Sequence, residues 1–370
     1  VSKKRIDIHG VVSIRFKIVG IKNESVITDA EGDGIQLRKK KIGTDSVAAV
    51  VMKKFQLSQT EEADGGEIGK IFYVCASPVL SETKIIKGKI LLKGEAVLKV
   101  MYCSATGENE SVCVNYNLPF SEIIDIESID DSCKVSVGFN VDQVQAEPKT
   151  DNDGEYKYLN LGCDICAVVT AYRTEDICVI TDSYSTQKEI DAKYKTETFT
   201  QILQNLNDSI ICRESVDLSS MNPQRIYAAI AQSPEAKSRF DADKMTVTGK
   251  IPLKFILIDG EGTPTFCERE AEFEYSRSID AKGGNLHCDP KLFLTGYSCT
   301  LTSDGRAEFK AEMNISADIT ETSECRTLVS LKTVENSELK KRHSSLVICF
   351  CNGGEKIWDI ARKYNTTVED

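Results

Sequence analysis

The stretch IDIHGVVSIRFKIVGIKNESVITDA (residues 6–30) aligns without a gap with LNLGCDICAVVTAYRTEDICVITDS (residues 159–183). The tetrapeptide VITD recurs between them at a spacing of 153 residues. A third, looser copy, AEFKAEMNISADITETSECRTLVS, covers residues 307–330, and its apolar positions keep the period of two of a half-buried strand. A repeat of about 150 residues is too long for a solenoid unit, so it predicts tandem copies of a whole domain.

The remainder of the repeating unit recurs as well. Residues 84–126 match residues 243–281, and in each a long strand leads through a Gly-containing turn (SATGENES, DGEGTP) into a returning strand. This pattern is typical of a β-hairpin. Short alternating strands with few helical patterns between them favour a β-sandwich or an open barrel-like sheet over an α/β fold.

These repeats predict a mainly β chain made of tandem β-sandwich-like domains. Residues 1–23 would be the final strands of a preceding repeat, with an incomplete core unless a neighbouring segment fills it. Residues 24–175 and 176–327 would be two complete copies. Residues 328–343 would form a linker, and residues 344–370 the beginning of a small α/β module. We therefore expect the chain, which starts at Val1, to be a piece of a longer protein.

Composition disfavours several classes of partner. The 370 residues carry a net charge of −11, and the densest basic cluster, LRKKK at residues 37–41, is interpreted as a solvated strand edge. Nucleic acid is therefore not the expected partner. No apolar run approaches the ~18 residues of a membrane span, and nothing resembles a signal peptide.

The fourteen cysteines lie mostly inside strands rather than in loops, so we expect reduced thiols that pack as small hydrophobic side chains. Cys103 and Cys113 flank one hairpin and are the pair that could face each other. The CDIC stretch at residues 163–166 has the CxxC spacing of zinc or thioredoxin-like sites. It has no second CxxC and no nearby histidine, so a zinc site is not predicted there.

Catalytic chemistry finds little support in the sequence. The three histidines are His9, His287 and His343. His287 and Cys288 are adjacent and would point to opposite faces of an extended strand, so they would not form a nucleophilic pair. DNDGE at residues 151–155 lacks the ligand spacing of an EF-hand and is interpreted as a hairpin tip. With no P-loop, dinucleotide fingerprint or HExxH motif, we expect no enzyme and no catalytic, cofactor-binding or metal-ligating residues.

Particular segments resemble known families. NLPFSEIIDI (residues 117–126), VTAYRTEDICVITDSYS (residues 169–185) and the tandem of about 150 residues resemble the SPOCS domain of spore-forming Firmicutes. SLVICFCNGGEKIWDIARKYNTTVED (residues 345–370) resembles the first half of a LysM module, in which a strand and a Gly turn precede a short helix. Tandem SPOCS domains followed by LysM resemble the spore coat morphogenetic proteins of clostridia.

The LysM resemblance implies a binding site around the Gly turn and the helix start. In LysM modules this groove binds N-acetylglucosamine polymers, whereas in the spore coat proteins it is implied to dock the morphogenetic ATPase beneath the coat. Glu355-Lys356 stands where LysM modules usually have Asp-Thr, and that Thr commonly helps to hold the sugar, so a protein ligand is favoured. Trp358 and Ile357 could instead be the buried face of the helix. The expected partner-binding residues are Gly353, Gly354, Glu355, Lys356, Ile357 and Trp358.

The resemblance implies a spore coat or envelope morphogenesis scaffold at the spore surface in the mother-cell cytoplasm. Such a scaffold would assemble through its β repeats, whose edges suit self-association, and would dock a protein of the coat basement layer. The alternative is a cell-wall protein whose LysM module binds peptidoglycan. The truncated LysM segment should be poorly ordered or ordered by contact with another surface.

Overall fold

The structure is a computed structural model, and it covers most of the chain. The residues it describes are 10, 25–64, 66–105, 111–241, 243–279, 285–339, 348–351 and 353–369, without the side chains of residues 335, 336 and 338. The predicted remnant of a preceding repeat, residues 1–23, therefore lies outside the described residues apart from Gly10.

The first half of the chain, called unit one (residues 35–185), contains six antiparallel strands in two sheets. One sheet has the order β1-β6-β5 and the other the order β2-β3-β4. The strands are β1 (Ile35–Glu62), β2 (Ile68–Ile86), β3 (Lys89–Ser104), β4 (Ser111–Asp125), β5 (Cys133–Thr150) and β6 (Tyr156–Ser185).

The second half, called unit two (residues 188–338), repeats this order. In one sheet the last strand, β14, pairs with the first strand, β7, and with β12 and β13, which together correspond to β5. In the other sheet the order is β11-β10-β8, and β9 also pairs with β10; β8 and β9 together correspond to β2. The elements are β7 (Lys188–Asp217), a 3-10 turn (Ser219–Met221), β8 (Pro223–Ala231), β9 (Glu235–Asp241), β10 (Lys244–Asp259), β11 (Pro264–Ser278), β12 (Asn285–Cys288), β13 (Lys291–Leu301) and β14 (Arg306–Glu338). A single described helix, α1 (Ile357–Tyr364), follows.

Each unit buries one face of each of its sheets in a separate core. The period of two along the strands explains the arrangement, because alternate side chains of β3 and β10 point inward and meet those of β6 and β14. The predicted mainly β class is confirmed. Residues buried in the two cores include Leu92, Leu98, Val100, Leu161 and Ile165 in unit one, and Leu253, Phe255, Leu257, Phe309 and Met313 in unit two.

One close contact recurs in both cores. Gly94 pairs with Phe120 across β3 and β4, and Gly249 pairs with Phe273 across β10 and β11. A Cβ at either glycine would lie closer than 3.0 Å to the facing phenylalanine ring. It would also lie that close to a backbone carbonyl oxygen of the neighbouring strand, that of Val79 or Glu235. The two units therefore share packing detail as well as strand order.

Strands run across two of the domain boundaries inferred from the sequence. The boundary at 175/176 falls inside β6, which continues to Ser185, and residues 328–338 of the expected linker belong to β14. The reason is that β1 and β6 stay paired beyond the end of β5, as do β7 and β14 beyond β12. The resulting two-stranded ribbons pack on each other through a small apolar cluster made of Ile42, Val179, Phe199 and Cys325.

Candidate functional site

Helix α1 is short and is ended by backbone geometry. Asn365 follows it in the left-handed conformation with φ 49°, and its amide donates to the carbonyl oxygens of Ala361 and Arg362. Arg362 and Lys363 lie in the last turn, where positive charge favours a helix C-terminus. Of the helical side chains, that of Ala361 is buried.

The helix docks on the end of β6 through one carboxylate. Trp358 Nε1 donates to Asp182 Oδ2 at 2.9 Å, and Arg362 Nη1 donates to both Asp182 oxygens at 3.0 and 3.1 Å. The rings of Tyr184 and Trp358 meet edge to face with centroids 4.9 Å apart, and the Tyr184 hydroxyl donates to the Thr366 carbonyl at 2.7 Å. Charge-assisted hydrogen bonds of this kind are stronger than neutral ones, so Asp182 anchors the helix.

The six residues expected to bind a partner divide into two groups. Gly353, Gly354, Glu355, Lys356 and Ile357 are exposed, and the Ile357 side chain keeps 67% of its surface in solvent. Trp358 is half-buried against β6. The interpretation of Ile357 as a buried-face residue is therefore wrong, whereas Trp358 does lie on the packed face of α1. Within this segment, Trp358, Arg362 and Thr366 contact unit one.

Asp182 and Tyr184 were not predicted from the sequence as contact residues. Both lie in VITDSYS, which served only to mark the repeat. One signal was available: the aspartate of VITD recurs as Asp29, while no tyrosine occupies the position equivalent to Tyr184, which is Glu31. A tyrosine found in one copy of a repeat points to a contact made by that copy alone.

A second polar site lies between the units, where the outer face of the β2-β3-β4 sheet packs against β8 and β13. Lys99 Nζ lies 2.9 Å from the ring centroid of Tyr297. Cys103 Sγ lies 3.5 Å from the Tyr227 hydroxyl, and the Ser111 hydroxyl donates to the Tyr227 carbonyl. These contacts couple one sheet face of unit one to two edge strands of unit two.

Lys99 is the most perturbed charge at this interface. Its side chain keeps 6% of its surface exposed, and Nζ has no hydrogen-bond partner. Burial lowers the pKa of Lys99 from 10.5 to about 8, against the opposing effects of Cys113 and Cys75. The Tyr297 ring supplies a cation–π contact that partly offsets the loss of water. A cavity of about 390 Å³ adjoins Lys99, with Tyr73, Cys75 and Tyr297 in its wall.

At the base of the ribbons, two carboxylates each accept one hydrogen bond from the other unit and one from their own unit. Asp45 accepts from the Ile202 amide at 2.5 Å and from Thr174 Oγ1 at 2.6 Å. Asp318 accepts from Ser136 Oγ at 2.5 Å and from Asn205 Nδ2 at 2.7 Å. These bonds border a cavity of about 770 Å³ between the units.

Of the residues considered for catalysis, His287 and Cys288 lie in different surroundings, and His9 and His343 lie outside the described residues. His287 lies in the wall of the larger cavity, while its neighbour Cys288 is buried in the core of unit two, where burial raises the pKa of the thiol to about 11. At DNDGE, Asp151 Oδ1 accepts from the amides of Asp153 and Glu155 at 2.9 and 3.0 Å, as in a tight turn. Within the described ranges, no three His, Cys, Asp or Glu side chains are grouped to hold a metal ion.

All fourteen cysteines are free thiols. Cys103 pairs with Ser111 and Cys113 with Met101, so the two hairpin cysteines are diagonal rather than opposite. Diagonal neighbours are about 7–8 Å apart, beyond the usual Cα separation of a disulfide. Cys163 and Cys166 are both buried in β6.

Two stacked copies of a six-stranded antiparallel fold, followed by a docked helix, define a tandem-repeat β protein. Residues 67–149 match a family model described as SipL, SPOCS domain. This segment is therefore similar to the SPOCS domain of SipL, and the match indicates a sporulation-related protein and a sporulation-related location such as the spore coat. The match runs from the start of β2 to the end of β5 in unit one.

No curated protein and no solved structure matches the chain. In the part of the chain that the structure describes, no helix has the length and apolar character needed to cross a membrane.

Proposed function

We propose that the protein is a non-enzymatic scaffold of the spore coat or envelope. The observation that supports this most is the stacking of two like units through a face-to-edge interface, since repeated units joined in this way are suited to building extended assemblies. The SPOCS match supports the sporulation setting. The interface residues, such as Lys99, Tyr227 and Tyr297, join one unit to the other.

In this proposal the segment before α1 docks a protein partner of the coat basement layer. Residues 353–357 are exposed, and Ile348 and Phe350, seven to nine positions earlier in the sequence than Ile357, keep 75% and 92% of their surface in solvent. In this proposal the three side chains form a contiguous apolar surface, which is the kind of surface that marks a protein-binding site. The Asp182 anchor holds the helix start against unit one while this segment stays accessible.

Peptidoglycan binding is the less supported alternative. Lys356 stands where a sugar-binding LysM commonly has threonine, and the Trp358 indole is committed to Asp182 and Tyr184. An aromatic side chain must present a free face to stack on a sugar ring. We therefore favour a protein ligand for the exposed segment.

The experiment places a fluorescent fusion of the protein in sporulating cells. Ile357→Glu should abolish recruitment to the forespore surface, because it puts charge into the exposed apolar segment. Val368→Glu is the matched control, since Val368 is also exposed and lies beyond the helix; it should localise normally. Normal localisation of Ile357→Glu would overturn the docking role.

Glycan binding is measured separately, by titrating the purified chain with N-acetylglucosamine oligomers. We expect no saturable binding. Saturable binding that Lys356→Ala abolishes without unfolding the chain would contradict the scaffold proposal in favour of a cell-wall role.

A further inference from the structure

Strand pairing makes the two units comparable residue by residue. In unit one, Phe72 is left unpaired at a bulge between β2 and β3, with Tyr73 next to it opposite Met101. In unit two, Tyr227 is left unpaired at the corresponding bulge between β8 and β10, with the next residue opposite Ile256. Phe72 is therefore equivalent to Tyr227, and Met101 to Ile256.

Other residues at the interface also have equivalents in the two units. Lys99 lies two residues before Met101, and Lys254 lies two residues before Ile256. On the next strand, Cys113 pairs with Met101 and Phe266 pairs with Ile256. On the other sheet, bulges in β5 and β13 make Val144 equivalent to Tyr297. The interface between the units is made by a sheet face of unit one and an edge of unit two. The equivalent face of unit two and the equivalent edge of unit one can therefore be identified.

The first counterpart is the outer face of the unit-two sheet made by β10 and β11. In unit one this face is covered by unit two, and Met101 keeps only 2% of its surface exposed. In unit two Ile256 keeps 37% and Phe266 keeps 59% in solvent. Two neighbouring apolar side chains, paired across the strands, are therefore left open on the face that unit one uses for packing.

The second counterpart is the edge of unit one formed by β2 and β5. The equivalent edge of unit two carries Tyr227 and Tyr297 and receives the sheet face of unit one. On unit one the edge carries Phe72, which is 41% exposed, and the half-buried Val144. Unit two therefore has an open sheet face like the one that unit one uses within the chain, and unit one has an open edge like the one that unit two uses.

We propose that a second copy of this chain occupies these surfaces, with the Ile256–Phe266 face of one copy packed on the Phe72 edge of the next. The contact repeats the interface already present within the chain. It joins two different surfaces, so it is heterologous, and repetition of it gives a ring if the rotation closes and a filament if it does not.

Residues that face each other across the interface within the chain are replaced together at the proposed contact. Within the chain, Cys103 faces the hydroxyl of Tyr227. At the proposed contact the equivalent residues are Ile258 and Phe72, so a polar pair is replaced by an apolar pair. Phe266 replaces Cys113 and adds apolar area. The cation–π contact of Lys99 has no equivalent, because Val144 replaces Tyr297; Lys254 instead pairs with Glu268 on its own sheet at 3.5 Å.

The experiment is analytical ultracentrifugation of the full chain over a range of concentrations. Wild type should form species larger than a dimer as concentration rises. Phe266→Glu and Phe72→Glu should each be monomeric, because each removes one surface. Met52→Glu is the control, since Met52 is an exposed apolar residue of β1 that lies on neither surface; it should assemble like wild type.

Mixing the two monomeric variants tests whether the contact joins the sheet face of one copy to the edge of another. Phe266→Glu retains the receiving edge and Phe72→Glu retains the sheet face, so an equal mixture should form a discrete one-to-one dimer and nothing larger. A wild-type chain that stays monomeric, a mixture that stays monomeric, or loss of assembly from only one of the two variants would overturn the proposal. The assay uses surfaces remote in sequence from residues 353–357, so its outcome is independent of the partner-docking test.

Discussion

Lys99 and Lys254 are the same residue at equivalent positions of the two units, yet their surroundings differ. Lys99 is almost fully buried, has no hydrogen-bond partner and lies over the Tyr297 ring. Lys254 is half-exposed and pairs with Glu268. Strand order alone therefore does not decide the chemistry of a position, because it leaves open which faces the neighbouring unit covers.

The two units share the packing of their cores and differ on their outer faces. The inner cores repeat down to the contact of Gly94 with Phe120 and of Gly249 with Phe273. The outer faces diverge because unit one must pack against unit two, whereas unit two leaves the same face open.

The largest effect is expected from the core glycines. Gly94→Ala and Gly249→Ala should each destabilise the chain by roughly 3 kcal/mol, because the new Cβ would collide with a backbone carbonyl that strand pairing holds in place. Urea unfolding followed by circular dichroism measures the loss. Gly260→Ala is the control, since a Cβ there would meet only the Gln224 side chain at 3.7 Å. Unequal losses at Gly94 and Gly249 would break the equivalence of the cores.

The next effect distinguishes the outer faces. Lys99→Met should stabilise the protein by about 2 kcal/mol at pH 7, because it removes a buried ammonium without a hydrogen-bond partner. Lys254→Met should change the free energy of unfolding by less than about 0.5 kcal/mol, as expected for an exposed ion pair. Equal effects of the two substitutions, measured by urea unfolding, would contradict the difference between the faces.

The Lys99 effect should depend on pH with a defined sign. The folded-state pKa of about 8 lies below the unfolded value of 10.5, so the unfolded chain binds this proton more tightly. Below pH 8, Lys99 is charged in the folded and in the unfolded chain, and its burial lowers the free energy of unfolding by the full amount. As pH rises from 8 to 10.5, Lys99 loses its proton in the folded chain first, and the free energy of unfolding of the wild type rises. The advantage of Lys99→Met should therefore shrink across that window. An advantage that grows with pH would exclude a lowered pKa.

A smaller, local effect is expected at the docked helix. Asp182→Ala should release α1 from β6 and shift the emission of Trp358 to the red, and Trp358 is the only tryptophan in the chain. Because the helix lies outside both cores, the urea midpoint should barely change. Asp176→Ala removes an exposed carboxylate of the same strand and is the control. Unchanged emission in Asp182→Ala would mean that Trp358 is held by other contacts.

The smallest effect concerns a surface ion pair. Lys250 Nζ lies 2.6 Å from Glu270 on the open sheet of unit two, with both side chains about half exposed. Lys250→Ala should lower the free energy of unfolding by less than about 0.5 kcal/mol. A loss above 1 kcal/mol would show that this face is covered in solution, and it would link the position to the assembly proposed above.

Local patterns were sufficient for the strands and the hairpins. The strands on either side of SATGENES pair with each other, as do those on either side of DGEGTP, and the mainly β class followed from alternation. The division of the second strand at Gln232–Pro234 was not predicted, although proline lacks the amide needed for strand pairing. The ends of β6 and β14 were missed because a strand continues for as long as it finds a partner, and that partner is more than 100 residues away in sequence.

The candidate site was predictable only in part. The exposed Gly353–Ile357 segment followed from its resemblance to a LysM turn, and its binding role stays a prediction. The docking of Trp358 on Asp182 was not predictable, because the two residues are 176 positions apart and neither has an unusual local pattern.

The sequence by itself determined the period of the repeat, the alternation that builds each sheet and the apolar residues that fill each core, because these depend on spacing along one strand. Only the tertiary structure decided that Lys99 is buried while Lys254 is half-exposed, and that α1 uses Asp182. Those outcomes depend on which surface packs against which. Burial changes the solvation of a charge by several kcal/mol, so the same residue type acquires a different pKa and a different role at equivalent positions.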